Sequence, residues 1–200
     1  MSAFGKVCTG FSKPWVALYA NNNGTITYSD AQRLARGVEV SIEPETSDPQ
    51  IFYADNTSAE TIGAMFNGGT CTLTVDGLLQ DAQQLIAGLP TADTNGFLNY
   101  GKEQSAPFVG LGFILRYLSD GVTYYTPIIL TKAVLNPQTI EGATQEDEIE
   151  FQTQELEFSL YRDDSADTVW LKQGGELASE VAAELAIKTF FGVTDSVTTM

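Results

Sequence analysis

The chain has 200 residues, enough for one domain with a substantial core and too few for two well-filled ones. Its 26 Asp and Glu outnumber 10 Lys and Arg, giving a formal charge of −16, yet only 18% of residues are charged and 43% are hydrophobic, with 11 Phe, 8 Tyr and 2 Trp. This is an acidic folded chain, not a disordered tail. The charge excludes a surface that grips nucleic acid by its phosphates, and the absence of histidine removes every scheme with imidazole as base or metal ligand.

Cys8 and Cys71 are the only thiols, have no CxxC spacing, and are expected to be reduced and structural. No apolar h-region precedes the short run at 15–20, and no stretch approaches about 18 apolar residues, which predicts a soluble chain made without an export signal and not inserted in a membrane.

In chain order, residues 15–20 (WVALYA) and 25–28 flank Asn21, Asn22, Asn23 and Gly24 and predict a hairpin. Residues 29–36 could begin a helix capped by Ser29 or Asp30, but the segment is short and stays ambiguous. Val38, Val40 and Ile42 alternate with Glu39, Ser41 and Glu43 until Pro44 stops the run. Cys71, Leu73 and Val75 repeat the pattern against Thr70, Thr72, Thr74 and Asp76, so both runs predict half-buried strands with one solvated face. Between them, residues 45–69 lack clear periodicity but hold Ile51, Phe52, Tyr53, Met65 and Phe66. A connection of this length is unusual inside a compact domain. Its apolar side chains predict a long arm that needs a partner surface, the alternative being an extra hairpin packed on its own domain.

Residues 76–88 predict a helix with Leu78, Ala82, Leu85 and Ile86 on one stripe, Asp76 as cap and Gly88 as stop; 89–106 is a second loop. The strongest hairpin follows. Leu111, Phe113, Leu115 and Tyr117 alternate along the first strand, Ser119, Asp120 and Gly121 turn, and 122–135 runs back. Such strands reach roughly 40 Å, and Pro127 predicts a bulge or an edge in the second. Within 145–162 the apolar positions switch from odd (Ile149, Phe151) to even (Leu156, Phe158, Leu160), so a bulge or break is expected at 153–155. A short strand at 168–172 leads to a helix over 176–191, with Glu176, Glu180 and Glu184 early, Lys188 late, Leu177, Val181, Leu185 and Ala186 toward the core and Gly192 as stop. Residues 193–200 read as a loose tail or a strand awaiting a partner. The expected fold is mainly β with flanking helices (α+β), a single domain over 1–200 carrying the 45–69 arm.

No motif carries chemistry. Gly110 and Gly112 form half a dinucleotide fingerprint but lie inside a strand, where packing explains them. Asp163, Asp164 and Asp167 lack the spacing of a calcium loop and predict a turn. Glu146, Asp147, Glu148, Glu150, Glu155 and Glu157 contain enough carboxylates for a glycosidase pair, but a solvated strand face is the plainer account. No catalytic residue, cofactor or metal site is assigned.

Charge distribution says more. From 37 to 101 there is no Lys or Arg but nine acids, and 133–161 holds seven acids and no base. Strand faces with Glu39, Ser41, Glu43, Thr70, Thr72, Thr74 and Asp76 are small, polar and negative, and repel nucleic acid.

The run ARGVEVSIEPETSDPQIFYADN (35–56), then GGTCTLTVDGLLQDAQQLIAGLP (68–90), GFILRYLSDGVTYYTPIILTKAVL (112–135) and EIEFQTQELEFSLYRDD (148–164) resembles the major tail proteins of long-tailed bacteriophages, over nearly the whole chain from about residue 13 to the C-terminal helix. The resemblance implies a tail-tube subunit: a β-sandwich or barrel with one or two α-helices, six copies per ring, rings stacked into a tube around a tape-measure protein and later conducting DNA. It implies self-assembly, contacts with tail terminator and distal tail proteins, a location in the virion tail after assembly in the host cytoplasm, and no enzymatic activity. The arm that reaches a neighbouring subunit corresponds to 45–69, with Ile51, Phe52, Tyr53, Met65 and Phe66 as candidate contacts. The polar alternation makes Glu39, Glu43, Thr72, Thr74 and Asp76 candidate lumen-facing positions. Two rivals are an enzyme working through carboxylates alone and an exported β-sandwich adhesin or pilus-like surface subunit; the latter should carry an export signal.

Overall fold

The computed structural model describes residues 5–54, 57–102, 104–137 and 152–193. Among them the elements are β1 (Val7–Asn22), β2 (Thr25–Arg33), β3 (Gly37–Thr46), β4 (Gln50–Ala54), β5 (Thr57–Ile62), β6 (Phe66–Val75), α1 (Gln80–Ala87), β7 (Phe108–Ser119), β8 (Val122–Leu135), β9 (Gln154–Tyr161), β10 (Leu171–Gln173) and α2 (Glu180–Phe190). The chain is mainly β with two flanking helices. Eight strands form an antiparallel sheet in the order β2-β1-β7-β8-β9-β6-β3, with β10 added to β8, while β4 and β5 form a separate two-stranded sheet.

Two tight hairpins set the long strands. Asn23 and Gly24 (φ +53° and +85°) join β1 to β2, and Asp120 and Gly121 (φ +49° and +75°) join β7 to β8. Positive φ at both central residues is the backbone twist that a two-residue hairpin requires. The ambiguous segment after residue 28 continues β2 as far as Arg33. Val16 pairs with Gln32 but Leu18 with Ser29, so the left-handed Asp30 (φ +50°) sits in a bulge.

The sheet curls until β3 packs near β1, with the ring of Phe11 filling the space over Gly37. Alternation sends Cys71, Leu73 and Val75 of β6, Leu156, Phe158 and Leu160 of β9, and Val109, Leu111 and Phe113 of β7 into one enclosed core. Each fully buried Leu or Phe there contributes about 1.5–3 kcal/mol. Helix α1 seals this core with Ala82, Ile86 and Ala87, and Gly88 ends it in the left-handed conformation (φ +63°).

A second cluster lies outside the sheet, where α2 covers Trp15, Ala17, Ile114 and Ile129 with Ala183, Ile187 and Phe191. Gly110 and Gly112 make this approach possible: a Cβ on Gly112 would lie 2.6 Å from Ile187 Cγ2, and one on Gly110 2.5 Å from the Tyr28 ring. Packing is indeed what the two glycines serve.

Several expectations need correction. Pro44 does not stop β3, which runs on to Thr46; as an edge strand bonded only to β6, it tolerates the missing N–H. Val38 is exposed because the register slips between Gly37 and Glu39. Pro127 marks neither a bulge nor an edge. It pairs in register with Ile114 of β7, and its carbonyl, which accepts from the Gly174 N–H, shows that its nitrogen faces the irregular end of β10 instead of the β7 ladder. Leu171 opens β10 three residues later than expected, after the left-handed Thr168. In α2 the core stripe is Ala183, Ile187 and Phe191, and Val181, Leu185 and Ala186 face solvent; Leu177 does pack against this second cluster as expected, but from ahead of the helix, in a bridge to Tyr125. Strand β9 starts at Gln154, where the break was expected, with Leu156, Phe158 and Leu160 inward; Ile149 and Phe151 lie outside the described residues, as does all of the tail beyond Val193.

Gly112→Ala should destabilise the fold by about 1–3 kcal/mol by forcing α2 off the sheet. Urea denaturation checks this, and combining it with Ile187→Ala should cost less than the two single changes summed.

Candidate functional site

Strand β6 lies between β3 and β9 in strict register. Thr74 is paired with Glu39 on one side and Glu155 on the other, Thr72 with Ser41 and Glu157, and Thr70 with Glu43 and Ser159. Residues directly opposite share a face, so these nine side chains form a three-by-three array on the side of the sheet away from the core. The threonine column separates Glu39 from Glu155 by two strand spacings, about 9.6 Å, which avoids placing like charges directly opposite. Among the described residues, Glu39, Glu43 and Glu155 take part in no ion pair; Glu157 accepts from Asn136 Nδ2, and Ser159 donates to Asn136 Oδ1 at 2.8 Å.

The structure therefore brings together four of the five candidate lumen positions: Glu39, Glu43, Thr72 and Thr74. Glu155 and Glu157 belong to the same face. Their signal was their alternation with Leu156, Phe158 and Leu160.

Asp76 stands apart. It neither lies in the array nor caps α1, whose N-cap is Leu79, without a side-chain bond. Its carboxylate accepts the backbone N–H of Arg36 at 2.9 Å and the Arg36 guanidinium, tying the end of β6 to the start of β3. These bonds hold the Asp76 carboxyl below the ordinary carboxylate range, the backbone N–H contributing most.

Basic side chains near the array are already engaged. Lys132 pairs with Asp164 at 2.8 Å and lies over the Phe108 and Tyr19 rings, and Arg162 donates to the Phe66 carbonyl at 2.9 Å. The acid run after β9 forms a turn: buried Asp163 accepts through Oδ1 from the Ser165 N–H and hydroxyl and from the Val169 N–H. Among the described residues no group of His, Cys, Asp or Glu is arranged to hold a metal ion. Glu146, Asp147, Glu148 and Glu150 lie outside the described residues. Among the described residues, the carboxyls whose pKa departs clearly from the ordinary value (Asp76, Asp93, Asp164 and Glu184) all move down, whereas a general acid needs one moved up.

The long connection after β3 is a hairpin. Strands β4 and β5 pair with each other, closed at the stem by Ser47, whose N–H donates to the Met65 carbonyl and whose hydroxyl accepts from the Met65 N–H. Ile51, Tyr53, Ile62 and Met65 are between 47% and 62% exposed. Phe52 lies in β4, with its side chain outside the described residues. Phe66 is not part of the projection: it opens β6 and stacks on Trp170 of its own chain, ring centroids 4.2 Å apart and planes 5° from parallel.

No protein-family model matches the chain, and no curated protein matches it in sequence. No helix among the described residues is long and apolar enough to cross a membrane.

Because the folded pKa of Asp76 is lowered, its stabilisation is present above the ordinary carboxylate value and is lost as pH falls through the lower one. Asp76→Asn should melt below the parent at neutral pH, with the gap closing as pH drops below the ordinary carboxylate range. Thermal melts across pH check this; a gap that stays constant would contradict it.

Proposed function

We propose that the chain is a tail-tube subunit of a long-tailed bacteriophage, in which copies close into rings, rings stack, and the outer face of β3, β6 and β9 lines a channel for DNA. The observation that carries this reading is the array of threonines flanked by carboxylates. Duplex DNA is a dense polyanion, and a wall with unpaired carboxylates and short hydroxyl side chains offers it no cationic anchor. The fields of Glu39, Glu43, Glu155 and Glu157 extend about a Debye length, roughly 8–10 Å at physiological salt, far enough to keep phosphates off the wall.

Two further features support assembly. Strands β2 and β3 are the two ends of the sheet and leave their outer backbone groups unpaired by the sheet; joining such edges between copies removes them and closes a heterologous ring. The hairpin presents apolar side chains that its own fold leaves exposed. In this role the protein has no active site or cofactor. Its partners are further copies of itself, the tape-measure protein inside and the terminator and distal proteins at the ends, with assembly in the host cytoplasm and residence in the virion tail.

Electron microscopy of the concentrated protein should show rings or tubes with an axial hole; solely monomeric particles under all assembly conditions would reject the reading. Replacing residues 49–63 by a short Gly-Ser linker, which spares Ser47, Met65 and Phe66, should abolish tubes while leaving the urea midpoint unchanged. Normal tubes from that variant would reject the assembly role of the hairpin.

A further inference from the structure

We infer that Lys132 and Asn21 become joined by an amide bond within the chain, Lys132 Nζ displacing the Asn21 side-chain nitrogen as ammonia while Asp164 carries the proton. The inference is independent of the tail-tube reading and rests on the groups that meet at one end of the sheet. Leu18 of β1 pairs with Val109, one residue from the start of β7, so the last residues of β1 run past that strand. Lys132 of β8 reaches across the same gap. Its Nζ lies 4.5 Å from the centre of the Phe108 ring and 5.2 Å from that of Tyr19, and its side chain is only 13% exposed.

One carboxylate gathers the reactants. Asp164 accepts from Lys132 Nζ at 3.0 Å through Oδ1 and 2.8 Å through Oδ2, and also from the Asn21 side chain, whose donor is the amide nitrogen. The Tyr19 hydroxyl fixes that carboxylate, donating to Oδ2 at 2.8 Å and accepting from the Asp164 N–H at 3.0 Å. Asn21 Oδ1 accepts the Gly24 backbone N–H at 2.7 Å, so a donor already stands where negative charge develops when the carbonyl is attacked. Among the described residues, the carboxylates that pair with Lys6 and Lys13 hold no such carboxamide.

The chemistry balances without a further reactant. Proton transfer along the Lys132–Asp164 bond leaves a neutral amine beside two rings that limit its access to water. Nζ then attacks Asn21 Cγ, and the Nζ–Cγ bond forms. Asp164 passes one proton to Nδ2 and takes one from Nζ as the Cγ–Nδ2 bond breaks, and ammonia leaves with the proton that Lys132 first held. The shared carboxylate makes the reaction intramolecular, and the product ties β1 to β8 across the start of β7.

The intact mass of the purified full-length chain should lie one ammonia below the mass calculated from its sequence, and digestion should release peptides joined through positions 21 and 132. Lys132→Arg, Asn21→Ala and Asp164→Asn should each restore the calculated mass and migrate more slowly than the looped parent in denaturing electrophoresis. Lys13→Arg, at an ion pair without a carboxamide, should keep the deficit. The full calculated mass for the parent after prolonged incubation overturns the inference. So does a deficit that survives Lys132→Arg, or one that maps to a succinimide at Asn95 and Gly96.

Discussion

Strand β6 has neighbours on both sides, and every second residue from Cys71 to Val75 is locked in the core. A slip of one residue against either neighbour would send Leu73 to solvent and Thr72 or Thr74 among Phe158 and Leu156, so the register is held by burial. The outer array is the other half of that constraint. Because Leu73 must face Leu156 and Val40, Thr72 must face Glu157 and Ser41. The rows of acids and threonines are thus positioned by the hydrophobic core and need no attraction among themselves, which four like charges would not supply.

The same sheet supports a different surface further along. On β1, β7 and β8 the outward residues are Trp15, Ala17, Ile114 and Ile129, with Gly112 among them, and there α2 closes down. Ionic contacts reinforce the apolar one. Lys13, on a bulge of β1, binds Glu184, to which the Trp15 indole also donates, and Ser12 donates to Glu180. Burial alone would raise the Glu184 pKa, but the Lys13 and Trp15 bonds and the charges of Lys13 and Arg33 hold it below the ordinary carboxylate range. One sheet therefore offers an acidic, uncovered face on β3, β6 and β9 and, on β1, β7 and β8, a face covered by α2.

What the sequence made legible follows burial. The alternation in β6, in β9 and along the β7–β8 hairpin was readable because one face is wholly apolar, and the turns at Asn23 and Asp120 because the chemistry of a two-residue hairpin is local. The face of α2 was not, since Val181 and Leu185 show the same four-residue spacing as Ala183 and Ile187. Which stripe turns inward depends on the room over Gly110 and Gly112, a property of a distant segment. Asp76 misled for a similar reason, because its partner Arg36 lies forty residues away in sequence. The hairpin within 45–69 stayed one of two readings because an irregular pairing, Phe52 with Glu60 but Tyr53 with Ser58, breaks the two-residue period on β5. The polar face was found in part: Glu39, Glu43, Thr72 and Thr74 could be proposed from local alternation, whereas adding Glu155 and Glu157 required knowing that β9 pairs with β6.

The central claim is that the array on β3, β6 and β9 is the inner wall of a hollow assembly. A reconstruction of the assembled protein by electron cryomicroscopy tests it most directly. Thr70, Thr72 and Thr74, flanked by Glu39, Glu43, Glu155 and Glu157, should lie on the surface of an axial channel. Finding that array on the exterior of the assembly, or sealed between subunits, would contradict it.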